Sequence, residues 1–451
     1  MPGPPNLLLI MADQFRHDWL GFGGARHVQT PALDALAARS LVFTQATCSS
    51  PVCVPSRIGL ATGLRPHRLG ALDNHAYLPL SSRTCYQQLR DHGYHVGCCG
   101  KLDLAKPDPY NGLRGDRPIT YAWGFTEPHE CEGKIHAGRG NPPLGPYTAY
   151  LRERGLLEAF VHDYADRARG GAAGILRPSV LPADAIEDAY IGQTACQRIA
   201  SLPADFPWHY FVSFVGPHDP YDPPAELFER FAGAPMPPAI PFEPDHRPAR
   251  YRPHKQYAPE TIPLARQLYT ASVQAIDLQV GRILEALHER GEADNTWIIF
   301  CSDHGDMLGD HGRYTKSCHY ESALRIPLMI AGPGLAPGTS DALVELIDLH
   351  PTLCELAGAA VPTGLDARSL VPLLLGQTDG HRSHATATLR GSHSVRTAEW
   401  KLIVDDCGAS PELYRLKEDP NERCNLADER PETVGELRRL LMADWVGTPH
   451  R

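Results

Sequence analysis

Three short hydrophobic runs mark the chain at residues 7–12, 210–215 and 297–301, and the second is interrupted only by Ser213. Each run is typical of a strand whose two faces are both covered by helices, as in a parallel sheet. Between the runs lie amphipathic helical patterns, the clearest at 30–39 and 267–290. Strands that alternate with helices predict an α/β fold with a large, mostly parallel sheet flanked by helices.

The pattern changes near residue 375, where the predicted strands become shorter. Beyond this point lie three strand patterns and a closing helical pattern, at 386–389, 394–397, 401–404 and 430–445. Strands followed by a helix, rather than alternating with helices, are typical of an α+β arrangement. We therefore predict a main catalytic domain over 1–374 and a small C-terminal subdomain, an antiparallel sheet plus helix, over 375–451.

The composition is that of a folded protein with a sizeable core, since 42% of the 451 residues are hydrophobic. The formal net charge of -10 disfavours nucleic-acid binding, which requires a basic patch. The sequence has no apolar run of about 18 residues, so we expect no membrane span. Residues 1–12 also lack the basic start and cleavage site of an export signal, which predicts a cytoplasmic protein.

Polar residues follow each of the three predicted strands. They are Asp13-Gln14, His218-Asp219 and Asp303-His304. Because the carboxyl ends of parallel strands form the ligand crevice of an α/β sheet, these side chains are expected to converge. Two carboxylates and an imidazole suit a divalent metal ion. Each acid could instead cap a helix or form a turn, and that alternative stays open for any single position.

The segment Cys53-Val-Pro-Ser-Arg57 predicts a turn that leads into a helix. It places Cys53 near a helix N-terminus and Arg57 one turn further on. Amide dipoles, a guanidinium and a nucleophile would then lie together. Such an environment is suited to the cleavage of an anionic ester.

This segment resembles the signature of the type I sulfatases and the related phosphonate monoester hydrolases, members of the alkaline-phosphatase superfamily. Further residues match the family's motifs in the same order along nearly the whole chain: Asp13, Lys101 in Gly-Lys, His218 in Pro-His, Asp303-His304, Lys316, and 412–420 in the C-terminal region. The resemblance implies an alkaline-phosphatase-like fold. It also implies that Cys53 is oxidised to formylglycine by a maturation enzyme.

Several residues depart from the commonest family pattern. Gln14 stands where many sulfatases have a second aspartate, and His304 stands where they often have asparagine. Both resemble the choline-sulfatase and phosphonate-monoester-hydrolase branch, which also places an amide, here Asn74, near the substrate oxyanion. Asp103 replaces a histidine that commonly follows the active-site lysine. Asp103 could form an ion pair with Lys101 or recognise a hydroxyl-rich or cationic alcohol, and Gln14 is a further expected substrate contact.

The resemblance implies a hydrolase that releases sulfate from a small-molecule or sugar sulfate ester. Cys53, as formylglycine, would be the nucleophile and also a metal ligand. Arg57, Lys101 and Lys316 would neutralise the non-bridging oxygens, and His218 would protonate the departing alcohol. One divalent metal ion is expected, calcium first and manganese as the alternative.

Alternatives to a sulfatase also remain. They are a phosphonate monoester or phosphate diester hydrolase on the same site, and a binding protein without activity if Cys53 is never oxidised. A homo-oligomer is left open.

Overall fold

The computed structural model describes residues 3–170, 174–243, 258–408 and 410–446. The strands are β1 (Asn6–Asp13), β2 (Leu41–Thr47), β3 (His95–Gly100), β4 (Glu127–Glu130), β5 (Trp208–Pro217), β6 (Thr296–Ser302), β7 (Leu328–Ala331), β8 (Gly338–Glu345), β9 (Ala385–Leu389), β10 (Ser392–Arg396), β11 (Trp400–Asp405) and β12 (Glu412–Arg415).

The α-helices are α1 (Pro31–Ala37), α2 (Cys53–Thr62), α3 (Cys85–Asp91), α4 (Pro118–Ala122), α5 (Lys134–Ala137), α6 (Pro146–Glu153), α7 (Leu157–Arg169), α8 (Glu187–Ser201), α9 (Ala225–Phe228), α10 (Ile262–Glu289), α11 (Glu321–Leu324), α12 (Leu349–Leu356), α13 (Val371–Leu374) and α14 (Pro431–Val446). Short 3₁₀ turns lie at Pro66–Leu69, Pro259–Thr261, Ala293–Asn295, Asp310–Gly312 and Leu346–Asp348. Within the part of the chain that the structure describes, no helix is both long and apolar enough to cross a membrane.

The main sheet has eight strands in the order β4-β3-β5-β1-β6-β7-β2-β8. The three hydrophobic runs of the sequence form its centre, because β1 pairs in parallel with β5 on one side and β6 on the other. Strand β7 runs antiparallel to both of its neighbours, and every other pairing in the sheet is parallel. The predicted α/β fold with a mostly parallel sheet is confirmed.

The hydrophobic sequence of β1 between Asn6 and Asp13 follows from the burial of both of its faces. Leu7, Leu9 and Met11 belong to the core on one face of the sheet, whereas Leu8 and Ile10 belong to the core on the other face. Successive side chains of a strand point to opposite faces, so a strand covered on both faces needs an apolar residue at every position. Polar residues are therefore confined to the two ends of β1, with Asn6 at the start and Asp13 at the carboxyl end.

The C-terminal region forms a second, antiparallel sheet in the order β12-β11-β10-β9, with α14 packed against it. Val395 and Leu402 of this sheet share a hydrophobic cluster with Leu437 and Leu441 of α14. This confirms the predicted C-terminal α+β region. The division of the chain at residues 374 and 375 stays a prediction.

A glycine at the end of β3 allows that strand to lie close to β5. Gly100 has φ +103°, and a Cβ atom there would lie 2.0 Å from the backbone carbonyl oxygen of Ser213. Gly291, after α10, has φ +77°, but a Cβ atom there would meet nothing within 4 Å. Alanine substitutions at the two glycines therefore separate the loss of stability caused by a positive φ from the loss caused by a backbone overlap.

We expect Gly291→Ala to cost about 1 kcal/mol through its positive φ alone. Gly100→Ala should cost at least about 2 kcal/mol more, because strands β3 and β5 must also move apart. Calorimetric melting of the two variants beside the wild type measures this difference. Equal melting temperatures for the two variants would contradict the close approach of Gly100 to Ser213.

Candidate active site

Four potential metal ligands meet at the carboxyl edge of the main sheet. Asp13 ends β1, Asp303 and His304 follow β6, and Cys53 is the first residue of α2. One ligand atom from each of these residues lies within 4.8 Å of the other three, and all four residues are buried. The structure thus brings together the residues for which the sequence predicted a metal site.

His304 is oriented so that its Nε2 atom faces the other three residues. Its Nδ1 atom lies 3.0 Å from the carbonyl oxygen of Gly305, which can only accept a hydrogen bond. Nδ1 therefore carries the proton, and the lone pair of Nε2 is left for a ligand. Nε2 lies 3.2 Å from Sγ of Cys53.

The two carboxylates are held in place by backbone amides and cations. Asp303 Oδ1 accepts hydrogen bonds from the backbone N–H groups of Gln14 and His304, each at 3.0 Å. Asp13 Oδ2 lies 2.5 Å from Nζ of Lys101. Burial raises the pKa of Asp13, but Lys101, His218 and Arg57 outweigh it and hold the pKa well below its usual range. Asp13 is therefore available as a charged ligand, and the carboxylate of Asp303 is held in a fixed orientation beside it.

Arg57 links the two carboxylates. Its Nε donates to Asp303 Oδ2 at 2.8 Å and its Nη2 to Asp13 Oδ2 at 3.0 Å. Its Nη1 donates to the carbonyl oxygen of Lys101 at 2.6 Å and to Ser213 Oγ at 2.8 Å. The side chain is buried, so these contacts position the acids, a role that the sequence did not indicate. A direct contact of Arg57 with the substrate stays a prediction.

Cys53 lies in an electropositive environment. Burial and Asp13 raise the pKa of its thiol, but Lys101, Lys106 and Lys316 lower it to well below the usual value. Burial and Asp303 raise the pKa of the Cys301 thiol, and the nearby Arg57 does not reverse that shift. The surroundings of residue 53 therefore favour an anion, whether thiolate, oxyanion or bound ester.

Gln14 connects Lys316 to the metal-ligand group. Its Oε1 accepts a hydrogen bond from Nζ of Lys316 at 2.5 Å, while its Nε2 donates to Asp306. Asp306 also accepts a hydrogen bond from the hydroxyl of Tyr221 at 2.8 Å. The sequence did not single out Asp306 or Tyr221, because their importance depends on a fold that brings distant loops together.

Asn74 and His218 are both near the group. Asn74 Oδ1 accepts a hydrogen bond from the backbone N–H of Val54 at 3.1 Å, which places the amide beside the start of α2. His218 Nδ1 lies 2.5 Å from the carbonyl oxygen of Asp219. That carbonyl fixes the tautomer of His218, so Nε2 is the ring atom left to exchange a proton with a ligand.

Asp103 forms two ion pairs through one oxygen. Its Oδ2 lies 3.2 Å from Nζ of Lys101 and 2.8 Å from Nζ of Lys106. The first contact agrees with the interpretation of Asp103 as an ion-pair partner of Lys101. The sequence did not predict the contact with Lys106. Recognition of the alcohol by Asp103 stays a prediction.

Comparison with known proteins gives matches over the whole chain. A family model described as "Sulfatase" matches residues 5–359, and one described as "N-sulphoglucosamine sulphohydrolase, C-terminal" matches residues 309–443. A choline-sulfatase of Rhizobium meliloti is 30% identical over 98% of this chain and 87% of its own length. An arylsulfatase of Clostridium perfringens is 28% identical over 98% of this chain and 95% of its own length.

The fold is also similar to that of a solved structure. The crystal structure of the phosphonate monoester hydrolase of Agrobacterium radiobacter superposes with a TM-score of 0.81. The alignment covers 99% of this chain and 96% of the other, at 24% identity. It supports the predicted alkaline-phosphatase-like architecture, including the C-terminal region.

We expect Asp303→Asn to weaken the binding of a divalent metal by at least about tenfold, because the group loses one of its two negative charges. Asp306→Asn is the matched control, since Asp306 is a buried acid nearby that lies outside the four-residue group. Metal content of the purified variants, measured by elemental analysis, tests this. Full metal occupancy in Asp303→Asn would show that the metal site lies elsewhere.

Proposed function

The chain belongs to the sulfatase family and is a sulfuric ester hydrolase, and we propose that formylglycine formed from Cys53 and one divalent metal ion carry out this hydrolysis. The observation that carries the proposal is the position of Cys53. Its Sγ lies 3.2 Å from His304 Nε2 and 3.7 Å from Asp13 Oδ1, at the N-terminus of α2. A nucleophile is thereby placed against a metal-ligand group and under positive charge.

The donor set fits a divalent cation. Asp13 and Asp303 supply charged oxygens, which hard cations such as calcium prefer. His304 adds a nitrogen ligand, which favours a transition metal, and manganese is therefore the second candidate. The bound metal would supply positive charge that lowers the pKa of the nucleophilic hydroxyl.

Formylglycine explains why a cysteine occupies this position. Its hydrate carries two hydroxyl groups on one carbon, so one can attack sulfur and loss of the proton from the other can then release sulfate. Cys53 is fully buried in the folded chain. The proposed maturation enzyme must therefore act before this region folds.

The remaining residues of the site have different proposed roles around the ester. Lys101 and Lys316 border Cys53 and would neutralise the non-bridging oxygens during attack. Arg57 holds Asp13 and Asp303 at a fixed separation. Nε2 of His218 would give a proton to the departing alcohol, since Nδ1 is engaged with the carbonyl of Asp219.

A second candidate function is hydrolysis of phosphonate monoesters or phosphate diesters on the same site. Gln14 and His304, which resemble the phosphonate-monoester-hydrolase branch, favour this candidate. Both ester types present anionic oxygens to the same lysines, so the site can accept either. We expect kcat/KM to be higher for an aryl sulfate than for a phenylphosphonate monoester or a phosphate diester. The reverse order with the fully matured enzyme would make the second candidate the main activity.

We expect Cys53→Ala to reduce turnover of an aryl sulfate by more than about a thousandfold, because the variant has no nucleophile. Cys301→Ala removes another buried thiol, and turnover should stay close to that of the wild type. Steady-state kinetics on both variants makes the comparison. Mass spectrometry of the wild-type peptide that contains residue 53 should show formylglycine in place of cysteine. An active enzyme with an unmodified Cys53 would disprove the formylglycine mechanism.

A further inference from the structure

The cleft that would receive the alcohol is lined by charged and polar side chains together with Ile135 and Val215, and none of the described residues in its wall is Phe, Tyr or Trp. We propose that the substrate of this chain is the sulfate ester of a polyhydroxylated alcohol, a sugar or polyol, recognised by Lys106, His136 and Asp103. The inference rests on the proposed hydrolysis at Cys53. It adds the class of alcohol and three residues that recognise it.

The cleft adjoins the proposed reaction centre. Its volume, including the part open to solvent, is about 400 Å³, and Lys101 and His218 form part of its wall. The other polar side chains of the wall include Asp103, Lys106 and His136. A departing alcohol must lie on the side of His218 if that residue gives it a proton. The cleft is therefore the space into which the alcohol portion of the ester extends.

Three polar groups of the cleft have unused hydrogen-bonding capacity. His136 is half-buried, and its ring makes no hydrogen bond to any described residue. Burial lowers its pKa, so at neutral pH the ring is uncharged and offers one donor and one acceptor. Asp103 pairs with both lysines through Oδ2, and its Oδ1 accepts no hydrogen bond from a described residue.

Lys106 completes this set as a donor. Its Nζ uses one N–H toward Asp103 Oδ2 at 2.8 Å, and its side chain is 22% exposed, so the other N–H groups can reach a ligand. The cleft thus presents donors and acceptors side by side. A hydroxyl group is both a donor and an acceptor, and several hydroxyls on one ring match such a surface.

The same wall is poorly suited to a quaternary ammonium group such as choline. Binding of that group relies on the faces of aromatic rings or on an uncompensated carboxylate. Of the described residues that line the cleft, none is Phe, Tyr or Trp. Asp103 is neutralised by two lysines, and Glu132 is engaged with Thr148. A cationic alcohol would meet the ammonium group of Lys106 without compensation.

The test compares kcat/KM of the matured enzyme for three sulfate esters: glucose 6-sulfate, choline sulfate and 4-nitrophenyl sulfate. We expect glucose 6-sulfate to exceed choline sulfate by at least about tenfold, since hydrogen bonds that involve charged groups are strong. Lys106→Met and His136→Ala should each lower the value for glucose 6-sulfate by about tenfold. His136→Ala should leave the value for 4-nitrophenyl sulfate unchanged, because that ester has no hydroxyls to lose contact with. Lys106→Met should lower that value by less than it lowers the value for glucose 6-sulfate, because Lys106 also adds positive charge near Cys53.

Lys417→Met, at a lysine remote from the cleft in the C-terminal region, is the control for loss of a positive charge. Higher efficiency with choline sulfate than with glucose 6-sulfate would overturn the inference, as would an equal loss on all three esters in Lys106→Met. These results differ from a failure of the proposed function. If the matured wild type cleaves none of the three esters, the hydrolysis at Cys53 is itself wrong.

Discussion

The arrangement at the sheet edge depends on the guanidinium of Arg57, which lies between the carboxylates of Asp13 and Asp303. Two buried negative charges side by side are unstable unless positive charge and hydrogen bonds compensate them. Arg57 supplies both, and it comes from the second turn of the helix that begins at Cys53. The helix N-terminus is therefore fixed relative to β1 and β6 by the same contacts that hold the two acids in place. The hydrogen bond from Arg57 to the carbonyl oxygen of Lys101 extends this control to the end of β3.

The C-terminal subdomain contacts the segment that follows Lys316. Lys316 lies in a loop where its neighbours Thr315 and Ser317 have φ of 61° and 70°, a conformation that is costly for such residues. A few residues later, Glu321 is paired with Lys401, a fully buried lysine of β11, at 3.0 Å. Lys401 has a second partner, Glu422, whose carboxylate oxygen lies 2.8 Å from the Lys401 Nζ. Burial raises the pKa of Glu422 to about 7. The second sheet thus anchors the segment that follows Lys316.

The sequence predicts the central strands and the convergence of their ends because both follow from local rules. The interior of a strand covered on both faces is mostly apolar, and polar residues concentrate at its ends, as Asp13 does at the carboxyl end of β1. The partners of Arg57 and the antiparallel direction of β7 do not follow from such rules. They depend on contacts between residues far apart in the chain, which hydrophobic periodicity does not encode. The same holds for the position of His136 in the wall of the cleft, which depends on how distant segments pack.

Asp103 connects the reaction centre to the cleft, so its contacts affect how substrate specificity can change. On one side its Oδ2 contacts Lys101, which in turn contacts Asp13 in the metal-ligand group. On the other side the same oxygen contacts Lys106 in the cleft. A cation bound in the cleft would share the single negative charge of Asp103 with Lys101 and Lys106, and this would disturb the charge balance at Asp13. A ligand that uses only Oδ1 leaves both lysines in place. Alcohols that differ only in their neutral hydroxyls can therefore bind in the cleft with little effect on the reaction centre. A cationic alcohol would require another negative charge to compensate Lys101.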